Sequence, residues 1–334
     1  MRALLNTVLL FLLIGSAWAD EGHKQTVGPD SQYPLRPLRI ILGYSAGGTV
    51  DVIARGIAEE LALGLKQHVL VENRPGAGGS IASEYAARAT PDGYTLYLGG
   101  LDSIVYSFRA TGRKPLDPVK DFMPIAEVAR NEFLLVVHSG LPANSVPELI
   151  KIAKDRPQSI LFASSGSGST LHVLAERFAV AAGIEMVHVP YKQGLIADLL
   201  AGRVHLVFAP APSIREHIAT GKLKVIATLA PQRSAHAPYR PTLIESGFPD
   251  FWHIGLLYLY APAATPRSIV LRLNREMRNA LQAPAFQSRL AGLGDTPGTP
   301  MSTDEAVVVL RERRAWMDKS FEVAMRARPS QRVK

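Results

Sequence analysis

The chain has 334 residues, a hydrophobic fraction of 47%, a formal net charge of +8 and no cysteine. That length and apolar content suffice for two packed domains, and the lack of cysteine excludes structural disulfides, thiolate metal sites and cysteine nucleophiles. The basic residues are scattered and form no stripe, which argues against nucleic acid and for a field that favours anionic ligands.

Taken in chain order, the first segment reads as an export signal. Arg2 supplies the positive start, residues 4–14 form an apolar run broken only by Asn6 and Thr7, and Ala17-Trp18-Ala19 is a small-residue cleavage site before Asp20. The run is too short to span a bilayer comfortably, so the expected location is the periplasm, with cleavage after Ala19. Residues 20–32 are polar and form a flexible leader. From Leu38, strands at 38–42, 69–72 and 95–98 alternate with helices at 51–65 and 80–89, the pattern of βαβ units and a mostly parallel sheet. Residues 100–121 carry Gly112, Pro115 and Pro118 and read as irregular. After a strand at 133–137 a second set begins. Its helices are at 146–154, 170–182, 195–200 and 214–220, and its strands at 160–163, 186–189, 206–208 and 225–229. An apolar run at 254–260 precedes a helix at 266–281 and a closing helix at 303–325. A basic tail, 326–334, holds Arg326, Arg328, Arg332 and Lys334.

Two βα sets joined by extended runs predict an α/β fold of two lobes with a ligand cleft between them. Lobe 1 is residues 33–130 plus 250–325, and lobe 2 is 131–249. In such sheets ligands sit at the carboxyl ends of strands, where βα loops meet helix N-termini.

Three loops stand at such ends. Gly43-Tyr44-Ser45-Ala46-Gly47-Gly48 matches the G-x-S-x-G nucleophile elbow, which makes a serine hydrolase using Ser45 the alternative to weigh. Its context fails that reading: Ser45 follows the first strand of the mature fold, so no earlier loop supplies the second oxyanion amide. Thr49 and Val50 stand where a phosphate-binding loop would need lysine. The same glycines and the helix start behind them suit close approach of a carboxylate, with Asp51 as a cap or loop-ordering residue. Ser164-Ser165-Gly166-Ser167-Gly168-Ser169-Thr170 repeats the design in the second set. Leu171 falls where a dinucleotide fingerprint needs glycine, so no nucleotide cofactor is expected. In Asn73-Arg74-Pro75-Gly76-Ala77-Gly78-Gly79, Arg74 fits a structural pair better than a ligand contact. His172 reads as a buried histidine satisfied by backbone groups. The nine histidines show no H-E-x-x-H spacing, and neither metal nor catalytic residue is predicted.

These segments together resemble the Bug-type receptors of tripartite tricarboxylate transporters. The resemblance rests above all on Val71-Glu72-Asn73-Arg74-Pro75-Gly76-Ala77-Gly78-Gly79 and Pro91-Asp92-Gly93-Tyr94-Thr95-Leu96. Asp117-Pro118-Val119-Lys120-Asp121-Phe122, the Ser164 loop with His172 and Glu176, and Val187-His188-Val189-Pro190-Tyr191-Lys192 follow in order, so it covers nearly all of the mature chain. It implies a type II periplasmic-binding-protein architecture, capture of a small carboxylate, a monomer, and the transporter's membrane subunits as partners. It also leaves room for a receptor that presents its bound ligand to a sensor. Carried over by position, the pocket is Tyr44, Ser45, Ala46 and Asp51 from lobe 1, and Ser164, Ser165, Gly166, Ser167, Ser169, Thr170 and Tyr191 from lobe 2. The chain departs from the family pattern at Ser45, at Gln193 in a shortened Tyr191–Leu195 stretch, at Ala209 where the family often has an acid, and at Leu256 and Tyr258. The lost acid at Ala209 is expected to disfavour ammonium-bearing ligands.

Overall fold

The computed structural model describes residues 32–191, 193–233 and 237–326. The expected export signal, nearly all of the leader and the tail beyond Arg326 lie outside the described residues. The elements in order are β1 (Leu38–Leu42), α1 (Thr49–Leu65), β2 (Val69–Asn73), α2 (Ser80–Ala87), β3 (Thr95–Gly100), α3 (Ser107–Ala110) and β4 (Phe122–His138). Then come α4 (Val146–Asp155), β5 (Ile160–Ser164), α5 (Thr170–Ala182), β6 (Met186–Pro190), α6 (Leu195–Leu200), β7 (Leu206–Pro210), α7 (Arg215–Ala219) and β8 (Leu223–Thr228). The chain closes with β9 (Ile254–Pro262), α8 (Arg267–Gln282), α9 (Pro284–Leu293), β10 (Thr296–Pro297) and α10 (Thr303–Arg326).

Strands run in the order β2-β1-β3-β9-β4-β7-β5-β6, with β8 and β10 also paired to β4. The parallel pairing expected from βα alternation holds at the outer strands, where β1 pairs with β2 and β3, and β5 with β6 and β7. The middle is different. β9 runs antiparallel to both β3 and β4, and β4 runs antiparallel to β7 and β8.

β4 joins the two halves. Its residues Phe122 to Glu132 pair with β9, and Phe133 to Val137 pair with β7. The change is written in its sequence. Pro124 has no N–H for the ladder, and the register with β9 slips between Pro124 and Ala126 and again between Glu127 and Ala129. Such bulges sharpen the local twist. Beyond them the apolar run Phe133–Val137 is buried on both faces: Phe133, Leu135 and Val137 pack with Phe162, Phe178 and Phe208, while Leu134 and Val136 pack with Val207 and Ile214. Alternate side chains of a strand point to opposite faces, so a continuous apolar run is what a strand between two helical layers requires. In the first half, Ile41, Tyr97, Phe122 and Tyr260 form the corresponding core, covered by Leu310 and Met317 of α10.

At the slip, Glu127 is wholly buried. Its carboxylate takes hydrogen bonds from the Arg130 guanidinium, from Tyr258 Oη of β9 at 3.1 Å and from the Thr299 amide beyond β10 at 3.3 Å. A buried charge is tolerable only when paired and hydrogen-bonded in this way. Glu127→Ala is therefore expected to lower the unfolding free energy by about 3 kcal/mol, read as a lower midpoint in urea. An unchanged midpoint would remove this network from the forces that hold the junction.

Candidate ligand-binding site

Strand ends and helix starts converge on a cavity of ≈ 530 Å³. Gly43, Tyr44, Thr49 and Val50 line it after β1, Ala77 and Gly78 after β2, and Gly100, Leu101 and Asp102 after β3. The second half contributes Ser165, Ser167, Gly168, Ser169, Thr170 and Leu171 after β5, and Pro210, Pro212 and Ser213 after β7. Ala129, Asn131 and Phe133 of β4 and residues 253–257 leading into β9 form its back. A cavity of ≈ 570 Å³ also lies on the first half, around Arg36, Arg39 and Arg88. Those arginines are engaged by Asp92, Glu72 and Glu84 respectively, so that cleft offers an anion no unpaired charge.

The turns are glycine-rich for a steric reason. A Cβ on Gly43 would stand 2.6 Å from Gly79 Cα, so the turns after β1 and β2 pack backbone to backbone. Gly168 has φ +76°, and a Cβ there would stand 2.3 Å from Ala110 Cβ, which brings the α5 loop against α3 of the other half.

Both loops open helices. α5 begins at Ser169, whose Oγ accepts the His172 amide at 3.4 Å, an ordinary N-cap. Among the described residues nothing accepts from the Thr170 and Leu171 amides, and both residues line the cavity. α1 presents Thr49 and Val50 to the same space behind its cap Gly48. Helix N-termini carry partial positive charge and free donors, which suit a carboxylate.

The sequence-predicted residues divide into three groups. Tyr44, Ser165, Ser167, Ser169 and Thr170 line the cavity. Ser45 and Ala46 are exposed loop residues beside it, and Gly166 shapes the second loop at φ +115°. Asp51, Ser164 and Tyr191 turn elsewhere. Ser164 Oγ is 2.6 Å from His188 Nε2 and accepts the Gly166 amide at 3.1 Å, so it orders the loop from beneath. Tyr191 Oη donates to Asp198 at 2.8 Å. Asp51 accepts from the Gly47 amide at 2.9 Å, from Asn73 Nδ2 at 2.9 Å and from Arg55 at 3.0 Å, which ties the first loop to α1 and β2. Arg74 pairs with Glu72 at 2.6 Å and lies over Tyr85, a structural role as expected. His172 Nδ1 accepts the Gly168 amide at 2.9 Å, likewise as expected.

Of the departures noted in the sequence, Leu256 lines the cavity, whereas Ala209 and Tyr258 are packed in the cores. Sequence reasoning missed Asp102, Asn131, His253, Asp295, Arg313 and Trp316, all of which line the cavity. Asp102 directly follows β3, a strand-end position that carries a signal. Arg313 and Trp316 stand three residues apart on α10 and so share a helix face. Burial raises the pKa of Asp102, and raises that of Asp295 to about 7 against the pull of Arg215. Burial, with Arg313 and Arg177 nearby, lowers His253 to about 3 and keeps it neutral.

Burial alone would raise the Asp51 pKa, but bonds from Arg55, Gly47 and Asn73 outweigh it and bring the group from 3.8 to about 2. A folded-state value below the ordinary one means stability that is present above about pH 4 and lost as pH falls towards 2. Asp51→Asn should flatten that acid limb and remove on the order of 1–2 kcal/mol at neutral pH, measured by urea unfolding at several pH values. Parallel curves for the two proteins would refute the assignment.

Comparison with known proteins agrees with this fold. A family model described as tripartite tricarboxylate transporter family receptor matches residues 53–316. Protein BugT of Bordetella pertussis is 34% identical over 304 residues, 90% of this chain and 93% of that protein. The solved structure of the periplasmic binding protein BugD superposes with a TM-score of 0.74 at 29% identity, covering 87% of this chain and 98% of that one. The R. palustris protein Rpa4515, solved with adipate, superposes with a TM-score of 0.75 at 31% identity, again over 87% and 98%.

Proposed function

The chain belongs to the tripartite tricarboxylate transporter receptor family, and from that premise we propose that it is an exported solute-binding protein that captures a small carboxylate between its two halves. The observation that carries this reading is the shared cavity, into which each half sends a strand, a glycine-rich loop and a helix N-terminus. The related protein solved with adipate supports the ligand class.

In this reading lobe 1 comprises residues 33–130 and 250–325 and lobe 2 residues 131–249. The ligand's carboxylate sits against the first turn of α5, ringed by Ser165, Ser167, Ser169, Thr170 and Tyr44. Ser45, Ala46 and Gly166 give the loops their shape, while Asp51, Ser164 and Tyr191 act one layer back by fixing them. Ordered waters can carry such contacts with little loss. The export signal is removed after Ala19, the periplasmic protein is a monomer, and the ligand-bound form engages the transporter's membrane subunits. A ligand drives lobe closure only as far as it prefers the closed form.

Capture without turnover is part of the proposal. Among the described residues no histidine hydrogen-bonds to Ser45 Oγ, whereas a hydrolase needs a base within that reach. Among the described residues no helix is long and apolar enough to cross a membrane, and no group of side chains suits a metal ion.

A thermal-shift series with mono-, di- and tricarboxylates tests the reading. At a hundredfold excess over Kd a native-state ligand adds about 2.7 kcal/mol, which raises the Tm by several degrees. At least one carboxylate should give that shift, and Ser167→Trp, at an exposed position of the loop, should lose it while melting like the parent without ligand. No shift across the series would contradict carboxylate capture. Turnover of a p-nitrophenyl ester that disappears in Ser45→Ala would install the hydrolase instead.

A further inference from the structure

The cavity also has a polar lining that neither glycine-rich loop supplies. Arg313 of α10 lines it, with its guanidinium 4.2 Å from the centre of the Trp252 ring. Among the described residues no carboxylate pairs with Arg313, and none of its N–H groups is taken by an acceptor. Glu127 is the acid whose field it feels most, yet that carboxylate is already held by Arg130, Tyr258 and the Thr299 amide. Burial lowers the Arg313 pKa, with Arg130 acting in the same sense.

A second arginine stands behind it. Arg177 of α5 lies 4.6 Å from the Phe251 ring and 4.7 Å from the Trp316 ring, and its Nη1 is buried without a hydrogen bond. His253, neutral, stacks on Trp316 at 5.5 Å. The arrangement is therefore two guanidiniums on aromatic faces, neither in a salt bridge among the described residues, with Asp250 acting on Arg177 and Glu127 and Glu312 on Arg313 only through their fields. Arginine keeps its charge at any physiological pH and presents its donors in a planar fork that matches a carboxylate. A half-buried cation left without an anion is costly, and a carboxylate entering the cavity would remove that cost.

We infer that Arg313 is the specificity-determining residue that receives the second carboxylate of a dicarboxylate ligand whose first carboxylate rests at α5. The inference rests on the carboxylate-capture reading above and adds the residue that selects for a second charge. The Trp252 face holds the fork in plane, and Arg177 adds its field without touching the ligand. A monocarboxylate of equal length would fill the same space and leave Arg313 unpaired.

Calorimetric titration of the mature chain with three matched pairs tests this: butyrate and succinate, valerate and glutarate, hexanoate and adipate. For at least one pair the dicarboxylate should bind tenfold or more tightly than its monocarboxylate partner. Arg313→Gln should abolish that ratio. Arg313→Lys, which keeps the charge and loses the fork, should restore part of it. The ratio in the parent protein needs no variant, so the test stands even if Arg313→Gln folds poorly. Equal binding of the two members of every pair by the parent, or a ratio that survives Arg313→Gln, would overturn the Arg313 assignment and leave carboxylate capture intact. Binding of none of the six would overturn the Arg313 assignment, and carboxylate capture falls with it only if the tricarboxylates of the thermal-shift series fail as well.

Discussion

One strand has to serve two sheets, and that constraint organises the molecule. β4 pairs with β9 and β10 over its first part and with β7 and β8 over its second. Its pairing with β9 carries bulges around Pro124 and Glu127, ahead of the exchange at Glu132 and Phe133, and the buried Glu127 network ties the strand to β9 there. β9 lies alongside the changeover, and the Asn131 side chain lies so close over Gly255 that a Cβ there would stand 1.8 Å from Asn131 Oδ1. The back wall of the cavity is this crossover, built from Asn131, Phe133 and residues 254–257.

What lies in front of that wall follows from chain direction. Strands β1, β3, β5 and β7 end at the cavity, and α1 and α5 begin there, so partial positive charge gathers where backbone donors are free. The loops between need fixed shapes to present those donors. Asp51 supplies this for the first loop through three kinds of donor, and Ser164 with His188 does so for the second. A loop ordered before the ligand arrives leaves less freedom to be lost on binding. Side chains beneath the loops thus bear on affinity as directly as those that face the ligand.

Much of this was legible in the sequence. Helix 170–182 was read behind the Ser/Gly loop, and the structure has α5 over those residues, with Gly183 after it in the left-handed conformation. The glycine-rich loops could be read because close approach leaves no room for a side chain. Other features were not legible. β4 was seen only over 133–137, because Pro124 and the polar stretch Arg130-Asn131-Glu132 break the alternation that marks a strand. The helical turns of residues 102–110 were missed because Gly112, Pro115 and Pro118 just beyond them made the whole stretch read as irregular, and α9, which opens on Pro284, was missed as well. In the site, residue types were readable but directions were not: Asp51, Ser164 and Tyr191 have the chemistry of ligand contacts and turn away from the cavity. Arg313 and Trp316 enter it only because α10 folds back across the chain onto α5, a long-range packing fact that no local pattern encodes.

The central claim, that a carboxylate is held at the α5 N-terminus between the two halves, is tested most directly by a crystal structure of the mature protein with the carboxylate that stabilises it most. The account predicts a carboxylate group within direct or single-water hydrogen-bonding reach of the Thr170 and Leu171 amides, with Tyr44 on its opposite side. Ligand density in the cleft around Arg36 and Arg88, or in the main cavity but away from α5, would contradict it.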